Sequence, residues 1–175
     1  MLNACTDRYR FAVGFGAGLV SGRTSLLPPT HVPEVIRHLR QFAPDAFCLT
    51  DDPDCSIDLP RVVFPDAARV PPADPTVLDV PHIDGEHVAA QVFTSGSTGT
   101  PLPHAKRWAD LVDDVACEAD RLGFRDGRHW SLVATVPPQH MYGFESSLLV
   151  ALCSGQSFAA SRPFYPADIV AELAL

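Results

Sequence analysis

The sequence predicts an α/β fold, a mostly parallel sheet flanked by helices. Short apolar runs of strand length recur at 46–50, 61–64, 87–93, 131–136 and 157–160. Helix-patterned segments stand among them. The clearest is His104 to Leu122, where Trp108, Leu111, Val112, Val115, Ala119 and Leu122 fall at helical spacing. Strands alternating with helices imply βαβ units and hence parallel pairing.

Taken in order, Arg8 to Ser21 reads as a helix ending at Gly22. Gly14, Gly16 and Gly18 weaken that helix and suit close packing better than ligand binding. Pro33 to Phe42 is a firmer helix, with Pro33 in its first turn and Val35, Ile36 and Leu39 on one face. Strands follow at Ala46 to Thr50 and Arg61 to Phe64, then a proline-rich connection from Pro65 to Pro81. His87 to Phe93 reads as a buried strand. Gly123 closes the helix that starts at His104. Ser131 to Val136 is a strand, Phe144 to Cys153 a helix stopped at Gly155, Ser157 to Ala160 a strand, and Ala167 to Leu173 a helix.

With 175 residues, 46% hydrophobic and 19% charged, the chain can bury one real core and is not of disordered composition. The net charge of −8 without a basic cluster argues against nucleic acid as a partner. The five cysteines form no C-x-x-C pair, which suits a reducing cytoplasm. The seven histidines show no metal-ligand spacing. The apolar run Phe11 to Val20 is too short to span a bilayer.

The most informative stretch is Phe93 to Pro101, FTSGSTGTP. Thr94, Ser95, Ser97 and Thr98 supply hydroxyls beside Gly96 and Gly99. Glycines let backbone N–H groups approach phosphate oxygens, and hydroxyls add hydrogen bonds. A Walker A loop is excluded, because Gly99 is followed by Thr100 and Pro101 instead of a lysine. On composition alone the stretch is equally a flexible Ser/Gly-rich connection.

The ordered string TSGSTG-X-Pro resembles the phosphate-binding loop of the adenylate-forming superfamily, the acyl- and aryl-CoA ligases, luciferases and peptide-synthetase adenylation domains. PPQHMYGFE, Pro137 to Glu145, resembles the segment that lines the acid pocket there. LLVALCSGQSFAASRPFYP, Leu148 to Pro166, resembles the helix, Gly turn, strand and "RF-P" that follow. DRYRFAVGFGAGLVSGRTSLLPP and EVIRHLRQFAPDAFCLTDD resemble earlier elements less specifically. The likeness thus runs over nearly the whole chain. The family's later Tyr-Gly-X-Thr-Glu segment, ribose-binding Asp, hinge and C-terminal lysine have no counterpart here.

One departure stands out. Where the family has Pro-Lys-Gly, this chain has Pro101, Leu102 and Pro103, and the next lysine is Lys106. That variant resembles the acyl-acyl-carrier-protein synthetase-like ligases of aryl-polyene and xanthomonadin-type pathways.

The resemblance implies ATP-dependent activation of a small aromatic or fatty carboxylic acid, with Mg²⁺, followed by transfer to the thiol of CoA or a carrier protein. It implies that residues 1–175 are part of an N-terminal adenylation domain, with the phosphate loop at 93–101 and no C-terminal domain. Thr94, Ser95, Gly96, Ser97, Thr98 and Gly99 would hold phosphates. Lys106, placed in the first turn of the helix after the loop, either replaces the absent loop lysine or is a solvated charge. His140, Tyr142, Gly143 and Phe144 would line the acid pocket, with His140 near the carboxylate; Tyr142 and Phe144 could equally be core. Glu145 edges the pocket or caps a helix. Two other readings remain open: a catalytically incomplete chain that binds a nucleotide or partner, and a generic phosphate-binding α/β protein.

Overall fold

The computed structural model describes residues 1–66, 80–95 and 101–174. Among the described residues the main sheet has six strands: β1 (Leu2–Asn3), β2 (Ser25–Leu27), β3 (Cys48–Thr50), β4 (Arg61–Val63), β5 (Val88–Ser95) and β6 (Pro101–Arg107). Their spatial order is β4-β3-β1-β2-β5-β6. Pairing is parallel throughout except between β5 and β6, which form an antiparallel hairpin. The expected mostly parallel sheet is therefore present.

Two helices leave the sheet in opposite directions. α1 (Arg8–Val20) carries the chain from β1 to its neighbour β2, and α2 (Pro33–Phe42) carries it from β2 past β1 to β3. Right-handed crossovers that move in opposite senses put their helices on opposite faces. Two apolar clusters agree. One gathers Phe11, Phe15 and Leu19 of α1 with Leu111, Val115 and Ala119 of α3 (Trp108–Leu122), and with Phe144 and Leu148–Val150. The other gathers Ile36 and Leu39 of α2 with Leu2, Leu26, Ala46 and Phe93. The gap between the ends of β1 and β2 is thus where the connections part, which is where open α/β sheets place ligands.

Helix α3 starts at Trp108, four residues later than the sequence pattern places it. The preceding residues, Pro101 to Arg107, are captured by β5, with Val92 opposite His104 and Ala90 opposite Lys106. Pro101 and Pro103 cannot donate to a ladder, and an edge strand is where a sheet tolerates them. Trp108 N–H then donates to the His87 carbonyl at 2.9 Å, which fixes the corner.

Beyond α3 a second, two-stranded parallel sheet pairs β7 (Ser131–Leu132) with β8 (Ser157–Phe158). Between them a helical stretch runs through α4 (Met141–Gly143), a π-helical turn (Phe144–Leu149) and α5 (Val150–Ser154). Gly123 and Gly155, at φ +74° and +70°, end α3 and α5 as expected, since a left-handed residue there satisfies the last carbonyls. α6 (Pro166–Leu173) has no buried residue.

Candidate functional site

The expected phosphate loop joins the two strands of the hairpin. Ser95 closes β5 and pairs with Pro101, the first residue of β6. Gly96, Ser97, Thr98, Gly99 and Thr100 lie outside the described residues. Thr94 is exposed at the strand end, and its hydroxyl oxygen lies 3.1 Å from Nε2 of His104 on the facing strand.

Lys106 sits on β6 and not on a helix. Its Nζ donates to Oε1 of Glu145 at 3.5 Å, with both side chains partly covered. Burial pushes the Glu145 carboxyl above its ordinary value, and Lys106 only partly offsets this. The ion pair thereby ties the strand leaving the loop to the last residue of PPQHMYGFE.

That second motif folds onto the first helix through its backbone. Arg8, the first residue of α1, is 1% exposed and donates from Nη2 to the carbonyls of Ala134 and Val136, at 3.0 and 3.2 Å. Among the described residues its Nε and Nη1 have no partner. Burial lowers its affinity for a proton, and the charge of Arg162 adds to this. Nε2 of Gln139 donates to the Cys5 carbonyl at 2.6 Å, a second tie across the same junction. Asp51 holds that junction from below by accepting from the N–H groups of Thr6 and Asp7, both at 2.9 Å. Burial works to raise the Asp51 carboxyl, but these hydrogen bonds outweigh it and hold it below the usual value.

Gly143 has an ordinary helical φ of −66°, so its need is space and not conformation. A Cβ there would press into the Pro137 carbonyl group and meet the Val136 oxygen at 2.9 Å. The motif therefore folds back on itself, with the helix packed directly on the backbone of its own N-terminal residues. Phe144 is wholly buried, edge-on to Phe15 at 4.9 Å between centroids. Tyr142 is exposed and borders a cavity of about 150 Å³ with Val136, Gly143 and Ser147.

His140 is exposed at the rim of a different cleft, of about 260 Å³. Thr6 follows β1, Thr30 and His31 follow β2, and Gln139, His140 and Arg162 close the far side. Burial holds the His31 imidazole below its usual value, and His140 lowers it further. His31 also borders a larger cavity of about 450 Å³ beneath α2, with Arg37 and Arg40. The structure thus puts His140 with residues that its motif does not contain. His31 carries no sequence signal of this role, because the residues it meets here are remote in the chain; Arg162 lies in the run that resembles "RF-P", a likeness that gives it no place beside His140. Among the described residues no group of three or more His, Cys, Asp or Glu gathers to hold a metal ion, and no helix is long and apolar enough to cross a membrane.

No protein-family model matches the chain. A curated 4-coumarate–CoA ligase from Halorhodospira halophila is 34% identical over 97 residues, covering 50% of this chain and 24% of the relative. The chain thus spans about a quarter of that relative's length. Among solved structures, a malonyl-CoA ligase in a ternary product complex with methylmalonyl-CoA and AMP aligns over 99% of this chain and 37% of its own, at TM-score 0.78 and 21% identity. The o-succinylbenzoate coenzyme A synthetase of Bacillus subtilis in complex with AMP aligns over 99% and 45%, at TM-score 0.77 and 16% identity. The fold is that of the N-terminal domain of adenylate-forming enzymes, and the sequence match to the coumarate ligase supports the adenylate-forming ligase superfamily for this chain.

Proposed function

We propose that this chain is part of an ATP-dependent acid–thiol ligase. Its reaction would join a small carboxylic acid to the α-phosphate of ATP, release pyrophosphate, and pass the acyl group to the thiol of CoA or a carrier protein. The observation that carries the reading is the joining of the two motifs, TSGSTG and PPQHMYGFE, through Lys106 and Glu145. A loop that grips phosphates and a segment that faces the acid have to be held in fixed register, because such chemistry is accelerated mainly by positioning and electrostatics. The curated relative is a CoA ligase, and solved structures of like fold hold AMP or ATP.

In this reading Thr94, Ser95, Gly96, Ser97, Thr98 and Gly99 hold the outer phosphates, and His140 faces the acid. Tyr142 and Gly143 shape the turn beside it. Phe144 acts from the core, by fixing that turn against Phe15. The exposed Thr94 hydroxyl at the hairpin end fits a phosphate oxygen. Mg²⁺ bound with ATP would neutralise the triphosphate. Lys106 is engaged by Glu145 and reaches phosphate only by leaving it.

A second reading rests on one observation: the chain spans only 24 to 45% of the relatives named above. It would then be a nucleotide- or partner-binding chain, inactive by itself. Acid-dependent ATP–pyrophosphate exchange tests the first reading. We would assay a chimera in which residues 1–174 replace the matching segment of the Halorhodospira ligase. Exchange that falls roughly 10- to 1,000-fold in Ser97→Ala or Thr98→Ala supports it. A folded chimera with no exchange, or with exchange indifferent to both substitutions, contradicts it.

A further inference from the structure

We propose that Cys48 and Cys55 form an oxidisable thiol pair, which a hydroperoxide converts to an internal disulfide closing the β3–β4 connection. The pair stands apart from both motifs and from the ligase reading.

The backbone brings the two residues together. Cys48 lies in β3 and pairs with Arg61 of β4. Register partners on neighbouring strands project to the same face, so these two side chains share one. The Arg61 guanidinium donates from Nη1 to the Cys55 carbonyl at 2.8 Å. Cys55 therefore lies over the face to which Cys48 points. Two more residues of the connection, Ile57 and Leu59, pack on the cluster that contains Ala46, one strand period before Cys48. The Cys55 N–H donates to the Asp52 carbonyl at 3.2 Å, which turns the chain back toward the strand.

Burial divides the roles. Cys48 is wholly buried, whereas Cys55 is only partly covered. Burial first, then the charge and hydrogen bond of Cys55, push the Cys48 thiol up to about 12, so Cys48 stays protonated. A thiolate is the nucleophile toward peroxide, and the accessible Cys55 reacts first. Its sulfur takes one peroxide oxygen: the S–O bond forms, the O–O bond breaks, and the departing hydroxide is protonated to water. The Cys48 sulfur then attacks the Cys55 sulfenic acid. The S–S bond forms, the S–O bond breaks, and the Cys48 proton leaves with the oxygen as a second water. Two thiols are oxidised and one peroxide is reduced. Cys5 is also buried and pushed up to about 12, but it belongs with Leu49 to the cluster on the other face of the sheet. Cys117 and Cys153 are exposed on α3 and α5.

The bond would bear on two features of the fold. Asp51 lies between the two cysteines and holds the turn that starts α1. Ser56, Ile57 and Asp58 follow Cys55 and wall the cavity of about 450 Å³ beneath α2. A cross-link in this connection restricts the unfolded chain, so the oxidised protein should melt higher.

Both cysteines fall in one tryptic peptide, residues 41–61, bounded by Arg40 and Arg61. The full chain, carrying Cys117→Ser and Cys153→Ser to remove the exposed thiols, would be treated with hydrogen peroxide, blocked with iodoacetamide in urea and mapped by mass spectrometry without reduction. The 41–61 peptide should lose two hydrogens and take up no alkyl group, and dithiothreitol should reverse this. In Cys48→Ala, dimedone should trap a sulfenic acid on Cys55. In Cys55→Ser, peroxide should leave Cys48 unreacted. Cys55 is partly exposed, so this second variant should fold even where the buried change does not. The melting midpoint should rise on oxidation by roughly 5 °C, and in Cys55→Ser it should not move. A disulfide that joins Cys5 to either partner, cross-linked dimers, a 41–61 peptide that keeps both thiols, or a midpoint lowered by oxidation would overturn the pair.

Discussion

Lys106 and Glu145 meet at 3.5 Å, and through them the strand leaving the loop is tied to the helical turn that ends PPQHMYGFE. They come from different elements, 39 residues apart. The pair is only partly covered, so its own strength is modest, but Glu145 is buried enough for its carboxyl to sit above the ordinary value.

A sign follows from that shift. A carboxyl raised in the folded state favours folding while it is protonated, and this advantage is lost as pH rises through the folded value. Wild type should therefore lose stability relative to Glu145→Gln as pH climbs above 4.5, the ordinary value. Glu145→Gln should equal or exceed wild type at neutral pH. Lys106→Met, which strands the carboxylate, should cost about 1 kcal/mol or more. Urea denaturation across pH measures all three. A wild type that gains on Glu145→Gln with rising pH would reverse the argument.

Gly143→Ala should be the most damaging single-methyl change in the site. The added carbon meets backbone at Pro137 and Val136, which cannot rotate away as a side chain can. Overpacking of this kind costs about 1–3 kcal/mol. Thermal unfolding should register it, and the amide resonances of Gln139 and His140 should shift. An unperturbed Gly143→Ala chain would mean that the fold-back is looser than described.

Exposed apolar side chains gather near the C-terminal end of the described chain. Phe164, Tyr165, Val170 and Leu173 are each 66–73% exposed, and the first two stack edge-on at 5.2 Å. Surfaces of this kind drive association. Sedimentation at rising concentration should show self-association of the isolated chain. It should weaken in a Phe164→Ser, Leu173→Ser double variant, whose fold should survive because neither side chain is buried. A strictly monomeric wild type would contradict this.

Most of the parallel sheet and its helices are legible in the sequence, because apolar periodicity is a local signal. Pro33–Phe42 matches the expected helix residue for residue. The two-residue β1 and three-residue β2 are not legible: a run so short has no period, and only pairing with β3 and β5 makes each a strand. β6 is hidden for a related reason. His104 to Arg107 extends the helical register of α3, and only pairing across the hairpin overrides it. In the site, the loop and His140 are visible as motifs, whereas Arg8 is visible only from its burial and from carbonyls 126 and 128 residues away.

The claim that TSGSTG grips phosphate is tested most directly by titrating the isotope-labelled chain with magnesium pyrophosphate and following its backbone amides. We expect the amides of Thr94 to Gly99 to move together and saturate, and a Ser97→Ala, Thr98→Ala double variant to weaken binding about 10-fold or more. Saturating shifts confined to other parts of the chain, or loop amides that do not respond at all, would contradict the account.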